Sequence, residues 1–364
     1  MNQTIINENA LLKVNLSFLS DNYNYLRNSL KNSRIGCVLK SDAYGLGLIN
    51  VTKKLVKIGC SDFFLTNLEE TLKVRKECSK SNIILLNGLI NLKKNDIKKI
   101  FHKKIIPTIN SLNELKKFNE LSKKLGSRPE ITLHFDTGIN RLGIDEQETI
   151  PVIEYCKKFQ IQVFCVMSHL ASADESYNKF NNEQNLKFKK IIKNFPNTTH
   201  SIANSHAIIN LNKIEYDLIR TGGCVFGTIE TKPFKNVVEL YAKVLQIKFI
   251  NNSEQSYGYN QTFQSKQKKR IAIIAFGYAD GYPRTLSNVS YVFFKKKLPI
   301  IGSISMDYMI IDISRLNQNE IKVGDFVELI GDNVLLSFIA RKSKTIPYEI
   351  LNNIGNRAKK IYID

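Results

Sequence analysis

The chain has 364 residues, 43% of them hydrophobic and 24% charged, and its 53 Lys and Arg against 33 Asp and Glu leave a net charge of +20. The hydrophobic share is that of an ordinary folded protein, which excludes a disordered or wholly membrane-embedded chain, and the length suits a large α/β unit joined to a smaller one. Charge of this sign raises nucleic acid as a partner, but the lysines lie in scattered short groups such as "KKLVK", "LKKNDIKK" and "SKQKKR", so attraction to anionic metabolites is expected instead.

The N-terminal stretch "MNQTIINENALLKVNL" has no basic start followed by an apolar core, and no run of ~18 apolar residues occurs anywhere, so a cytoplasmic protein without membrane association is expected. Within that stretch "ALLKVNL", residues 10–16, reads as a strand. The six cysteines, at 37, 60, 78, 156, 165 and 224, form no C-x-x-C pair and have no histidines at zinc spacing, which fits a reducing compartment and no bound metal.

From residue 35 to about 227, eight short β-like runs follow one another: "IGCVLK", "FFLTN", "IILLNG", "KIIPTIN", "EITLHFD", "QVFCVMSH", "THSIANS" and "DLIRTGGCVFG". Between them, segments such as "EETLKVRKECSK", "SLNELKKFNELSKKLG" and "YNKFNNEQNLKFKKIIKN" repeat apolar residues at three- and four-residue steps, the period of a helix with one buried face. Eight strand-then-helix repeats predict a (β/α)8 TIM barrel over residues 10–236. After residue 236 the period becomes two in "LQIKFI", "YMIIDI" and "IKVGDFVELIG", so residues 237–364 form a mostly β C-terminal domain, whose sheet the strand at 10–16 is expected to join.

Lys40 stands at the carboxyl end of the first barrel strand, on the face where such barrels build active sites, and Tyr44, Gly45 and Gly47 follow it. Strand seven ends in "SIANSH" with Asn204 and Ser205, and strand eight in "IRTGG" with Arg220, Gly222 and Gly223. Small residues and free backbone N–H groups in those two loops suit a phosphate. An amine and a phosphate cradle on one face point to a phosphorylated aldehyde held as a Schiff base, a description that pyridoxal 5′-phosphate meets.

With "VLKSDAYGLG", "DTGINRLG", "SHLASAD", "ANSHA", "DLIRTGG", "SYGYNQTF", "GYADGYPR", "SISMD" and "PYEIL" in this order, the sequence resembles the alanine racemases, pyridoxal-phosphate enzymes with a barrel and a β domain, from about residue 10 to 360. The resemblance implies that Lys40 holds the cofactor and acts as one acid/base group. It makes Tyr257, from the neighbouring subunit of a homodimer with shared sites, the other. Both are expected to titrate below their ordinary range near ~10. Arg220 then faces the pyridine nitrogen, and His169 lies between it and Tyr257. Tyr44, Asn204, Ser205, Gly222, Gly223 and Tyr348 complete the cofactor set, while Arg141, with Met306 and Asp307 of the partner subunit, receives the substrate carboxylate.

The sequence departs from the family at His134. Two residues before Asp136 the family commonly carries a lysine modified to a carbamate, which orients the carboxylate-binding arginine; here another anion, a chloride or the imidazole itself must position Arg141. The implied activity is interconversion of L- and D-alanine, supplying the D-isomer for peptidoglycan. Alternatives are a racemase of broad specificity, a decarboxylase of the same design and a non-catalytic cofactor carrier. Arg220 in place of a carboxylate and the Lys40–Tyr257 pair oppose the decarboxylase, and the complete β domain opposes the carrier.

Overall fold

The structure, a computed structural model, describes residues 8–211, 216–251 and 255–364. Residues 1–7, which begin the stretch read above as lacking a targeting pattern, lie outside the described residues. Two compact units divide the chain: one comprises Tyr23–Ala43 and Leu48–Val225, the other the segment ending at Asn22, Tyr44–Gly47 and Phe226–Asp364.

After β1 (Ala10–Asn15), the first unit contains eight strands: β2 (Arg34–Val38), β3 (Asp62–Leu65), β4 (Asn82–Leu85), β5 (Ile106–Ile109), β6 (Ile131–His134), β7 (Val163–Met167), β8 (Thr199–Ser201) and β9 (Leu218–Thr221). All neighbours pair in parallel, in the order β8-β7-β6-β5-β4-β3-β2-β9. The sheet curls into a nearly closed barrel, and Arg220 N donates to Ala203 O at 3.1 Å across the seam between β9 and the end of β8. Phe64, Ile84, Ile106, Cys165, Met167 and Leu218 form a buried cluster from five of these strands. Gly36 makes room for it, because a Cβ there would lie 2.7 Å from the Phe64 ring.

The intervening helices follow the sequence signals. Asn67 caps Leu68–Glu77 by accepting from Glu70 N, and Ser111 caps Leu112–Leu125 by accepting from Glu114 N, with Gly126 ending that helix in the left-handed conformation. The eight repeats and their class, an α/β barrel followed by a mostly β region, are as the periodicity predicts.

In the second unit the 13-residue strand β10 (Val238–Ile250) is the hub. It pairs antiparallel with β1, with β13 (Lys269–Ile274) and with β17 (Phe326–Ile330). On its far side β1 pairs in parallel with β18 (Lys359–Ile363), while β16 (Met309–Asp312) joins β13. The order β15-β14-β17-β10-β1-β18 is completed by β14 (Tyr291–Phe294) and β15 (Lys296–Pro299). A separate hairpin is formed by β11 (Gln255–Tyr257) and β12 (Phe263–Ser265). Among the described residues no helix is long and apolar enough to cross a membrane.

Candidate active site

Lys40 opens a turn of unusual hand. Ser41, Asp42, Ala43 and Tyr44 have φ between 54° and 58°, the left-handed region, although none is glycine. Each such residue costs about 1–2 kcal/mol, so the surroundings must hold the turn in place. Gly45 and Gly47 continue the positive φ at 81° and 98°, and a Cβ at Gly45 would lie 2.8 Å from Leu351 O. The Tyr44 ring is buried between Phe226 and Tyr348, at centroid distances of 5.1 and 5.7 Å, and burial pushes its hydroxyl pKa up.

Burial, reinforced by the positive charge of Arg141, pulls the Lys40 ammonium below its ordinary range. The neutral amine that a nucleophile requires is thereby favoured. Arg220 is buried on β9 and clamped: Nη1 donates to Ser201 O at 3.0 Å and Ser201 Oγ at 2.6 Å, and Nη2 to Ser168 O at 2.6 Å. Burial draws its pKa down to about 10, which leaves it protonated near neutrality. Nη2 also lies 3.4 Å from His169 Nδ1. A guanidinium can only donate, so His169 Nδ1 is the acceptor and Nε2 carries the proton.

His169 is held neutral. Burial first, then the charges of Arg220, Arg141, His134 and Lys40, lower its pKa to about 3. His134, buried at the end of β6, is lowered to about 4, mainly by burial and then by Arg220. Its Nδ1 lies 2.9 Å from Asn110 Oδ1, so Nδ1 donates and Nε2 presents a lone pair. Asp136 folds the following loop, accepting from Gly138 N at 2.7 Å and Arg141 N at 3.3 Å, and Arg141 itself is exposed.

Both histidines make folding sensitive to acid. Their folded pKa values lie below the ordinary 6.5, so above pH 6.5 neither state is charged; as pH falls toward 4 the unfolded chain takes up protons that the folded chain refuses. Together they reduce stability by up to about 2.7 kcal/mol per pH unit in that window. Denaturant unfolding of the cofactor-free chain at a series of pH values, compared with His134→Gln, is expected to show about half of this contribution removed by the substitution; an unchanged slope would mean that His134 is not held neutral.

The loops after β8 and β9 meet at small polar groups. Ser205 Oγ and Thr221 Oγ1 are 2.9 Å apart, Gly222 N donates to Ser205 Oγ at 3.2 Å, and Asn204 caps the helix Ser205–Asn210 by accepting from Ala207 N at 3.0 Å. Gly222 and Gly223 are both buried.

In the other unit, Tyr257 ends β11 opposite Phe263, and the two rings meet edge to face at 5.7 Å. Gly258 and Gly302, with φ of 73° and 74°, let two backbones touch: a Cβ at Gly302 would lie 2.6 Å from Tyr257 O, and one at Gly258 2.7 Å from Ser303 N. The Tyr257 hydroxyl is buried with no hydrogen-bond partner among the described residues. In the single chain its pKa is raised, by burial first, with Lys269 opposing and Asp312 adding to the rise. Met306 and Asp307 lie on a loop held by the "GYADGYPR" turn, where Ala279 N donates to Met306 O at 3.0 Å. Arg357 bridges Asp307 at 2.8 Å and Asp280 at 3.2 Å.

The barrel therefore brings Lys40, Arg141, His134, His169 and Arg220 into one electrostatic neighbourhood. Sequence reading missed the groups that hold them: Ser168 and Ser201 for Arg220, Asn110 for His134, Thr221 for Ser205 and Arg357 for Asp307. For Ser168, Ser201, Asn110 and Thr221 the one signal was polarity at the carboxyl ends of barrel strands; Arg357, in the turn before β18, carried none.

A (β/α)8 barrel with a partly buried amine among cationic groups at its C-terminal rim, followed by a β-rich unit, is the architecture of a barrel enzyme acting on an anionic small molecule. Residues 14–230 match the family model for the alanine racemase N-terminal domain, and residues 237–362 match that for the C-terminal domain. The alanine racemase of Rickettsia canadensis is 35% identical over 96% of this chain and 98% of its own length, and that of Brucella abortus 33% over 97% and 93%. The crystal structure of alanine racemase from Bartonella henselae with covalently bound pyridoxal phosphate superposes with a TM-score of 0.91 at 33% identity, covering 98% of this chain and 99% of that one. The chain belongs to the alanine racemase family.

Proposed function

We propose that the chain is an isomerase that interconverts L- and D-alanine in the cytoplasm by two-base proton transfer with pyridoxal 5′-phosphate, as a homodimer with shared sites. The observation that carries this reading is the cationic cluster around Lys40 in a chain matched across both halves by one family of racemases.

The donor set fits the cofactor. The charges acting on His169 are all cationic or imidazole groups, Lys40 is biased toward its neutral amine, and Ser205 with the Gly222 and Gly223 backbone offers small polar contacts for a phosphate. We assign Lys40 to hold the cofactor, with Asn204, Ser205, Gly222, Gly223, Tyr44 and Tyr348 as its further contacts. Both Arg220 amino groups are occupied by Ser168 and Ser201, which leaves Nε–H for the ring nitrogen. A guanidinium keeps its proton, so Arg220 would donate a hydrogen bond to the cofactor without protonating it, which would limit the electron withdrawal the cofactor supplies. Bound there, pyridoxal phosphate supplies the electron withdrawal that makes an amino acid's α-hydrogen acidic.

Lys40 Nζ removes or delivers the α-proton on one face, and Tyr257 Oη of the neighbouring subunit acts on the other, so configuration inverts. His169 Nε2–H is the donor suited to a phenolate, and meeting it in the dimer would lower the Tyr257 pKa from its raised value in the single chain. Arg141, with Met306 and Asp307, receives the substrate carboxylate. The neutral His134 offers Nε2 as an acceptor for a guanidinium, the part that the family gives to a carbamate.

Purified protein supplied with pyridoxal phosphate and a panel of L-amino acids, read by chirality, is expected to form D-alanine faster than any other D-isomer. Equal rates for several amino acids would favour a broad-specificity racemase, and no D-alanine would refute the assignment.

A further inference from the structure

We infer that Glu70 is a positioning residue for Lys40, its carboxylate holding the left-handed turn on which Lys40 stands. The inference rests on the reading of Lys40 as the amine that holds the cofactor.

Four consecutive non-glycine residues, Ser41 to Tyr44, have positive φ, and nothing in "SDAY" favours that hand over a right-handed turn. Contacts from elsewhere must therefore select it. On the near side, Ala43 N donates to Leu39 O at 3.0 Å, and Leu39 N to Phe64 O at 2.9 Å, which fixes the entry to the turn against β3. On the far side, Asp42 Oδ1 accepts from Leu48 N at 2.8 Å, at the start of the helix Leu48–Lys57. In the middle, Asp42 N donates to Glu70 Oε1 at 2.7 Å, a charge-assisted bond across 28 positions of sequence.

Glu70 is itself fixed. Its other oxygen accepts from Asn67 Nδ2 at 2.9 Å, while its backbone N donates to Asn67 Oδ1 at 2.8 Å, so the carboxylate is tied to the capped first turn of the helix Leu68–Glu77. The start of the helix after β3 thus grips the turn after β2. A right-handed relaxation of residues 41–44 would redirect Asp42 N away from its acceptor and shift the Cα of Lys40 against the strand end. With the grip in place, Lys40 is presented in one position; without it, the amine spreads over several.

The test uses the full chain loaded with pyridoxal phosphate and compares wild type, Glu70→Ala, Glu70→Gln and Asn67→Ala. Readouts are the dissociation constant and pH midpoint of the absorbance near ~420 nm, kcat and KM for L-alanine, and the unfolding midpoint. Glu70→Ala is expected to weaken cofactor binding and lower kcat about fivefold each, with little change in KM, as the loss of one hydrogen bond to a charged group allows. Glu70→Gln keeps an oxygen for Asp42 N and recovers most of the loss. Asn67→Ala removes the helix cap and the amide that holds the second carboxylate oxygen but leaves the oxygen on Asp42 N, so it lowers the unfolding midpoint with a kcat loss clearly smaller than that of Glu70→Ala. Full activity in Glu70→Ala, no recovery in Glu70→Gln, or an equal kcat loss in Asn67→Ala would overturn the inference while leaving Lys40 in its role. Failure of the wild type to take up the cofactor at all would overturn the role of Lys40, and this inference with it.

Discussion

Lys40→Ala abolishes the absorbance near ~420 nm that marks the cofactor joined to the protein and lowers racemisation by at least about a thousandfold. The size follows from the two tasks proposed for one side chain, joining the cofactor and moving a proton on one face of the α-carbon. The site prepares that amine by withdrawing it from water and setting Arg141 nearby, both of which favour the neutral form. Lys40→Arg fails to the same degree, because a guanidinium stays protonated and cannot attack a carbonyl. Spectra and initial rates at saturating pyridoxal phosphate decide the matter. An unchanged absorbance in Lys40→Ala would move the cofactor to a different amine.

Tyr257→Phe lowers racemisation about a hundredfold to ten-thousandfold, the usual contribution of a positioned acid or base. The ring remains, so its packing against Phe263, Ile271 and Ile301 persists and stability changes little. The hydroxyl makes no hydrogen bond among the described residues, so its removal leaves no acceptor stranded there. Two enantiomers have equal free energy, hence kcat/KM falls equally in both directions. Asymmetry appears instead in solvent exchange. In deuterium oxide the variant still exchanges the α-hydrogen of the one enantiomer that presents it to Lys40, without inverting it, whereas exchange into the other enantiomer nearly stops. Equal exchange into both enantiomers would count against two bases on opposite faces.

Much of the scaffold was legible because periodicity is local. Short β-like runs mark the eight strands and period-3.6 patterns the helices between them, and the helices that form there begin at the caps Asn67 and Ser111, the second stopping at Gly126. Lys40, Asn204, Ser205, Arg220, Gly222 and Gly223 were legible at the carboxyl ends of those strands, whereas Tyr257, Met306, Asp307 and Tyr348 came from the family resemblance alone. Their supports were not legible. Arg220 reaches Ser168 across 52 positions, and His134 reaches Asn110 across 24, distances over which no local pattern carries information. The direction of the Tyr257 pKa in the single chain was illegible for the same reason: burial by β-rich neighbours, not the identity of the residue, sets it.

The sequence by itself determined the class of fold, the order of its parts and the chemical groups available at the barrel rim, because hydrophobic spacing and residue type are properties of short stretches. Only the tertiary structure decided the hand of the turn at Lys40, the neutrality of His134 and His169, and the hydrogen bonds that hold both Arg220 amino groups. Backbone hand, protonation and donor availability depend on what surrounds a group in space, and those neighbours come from strands far apart along the chain.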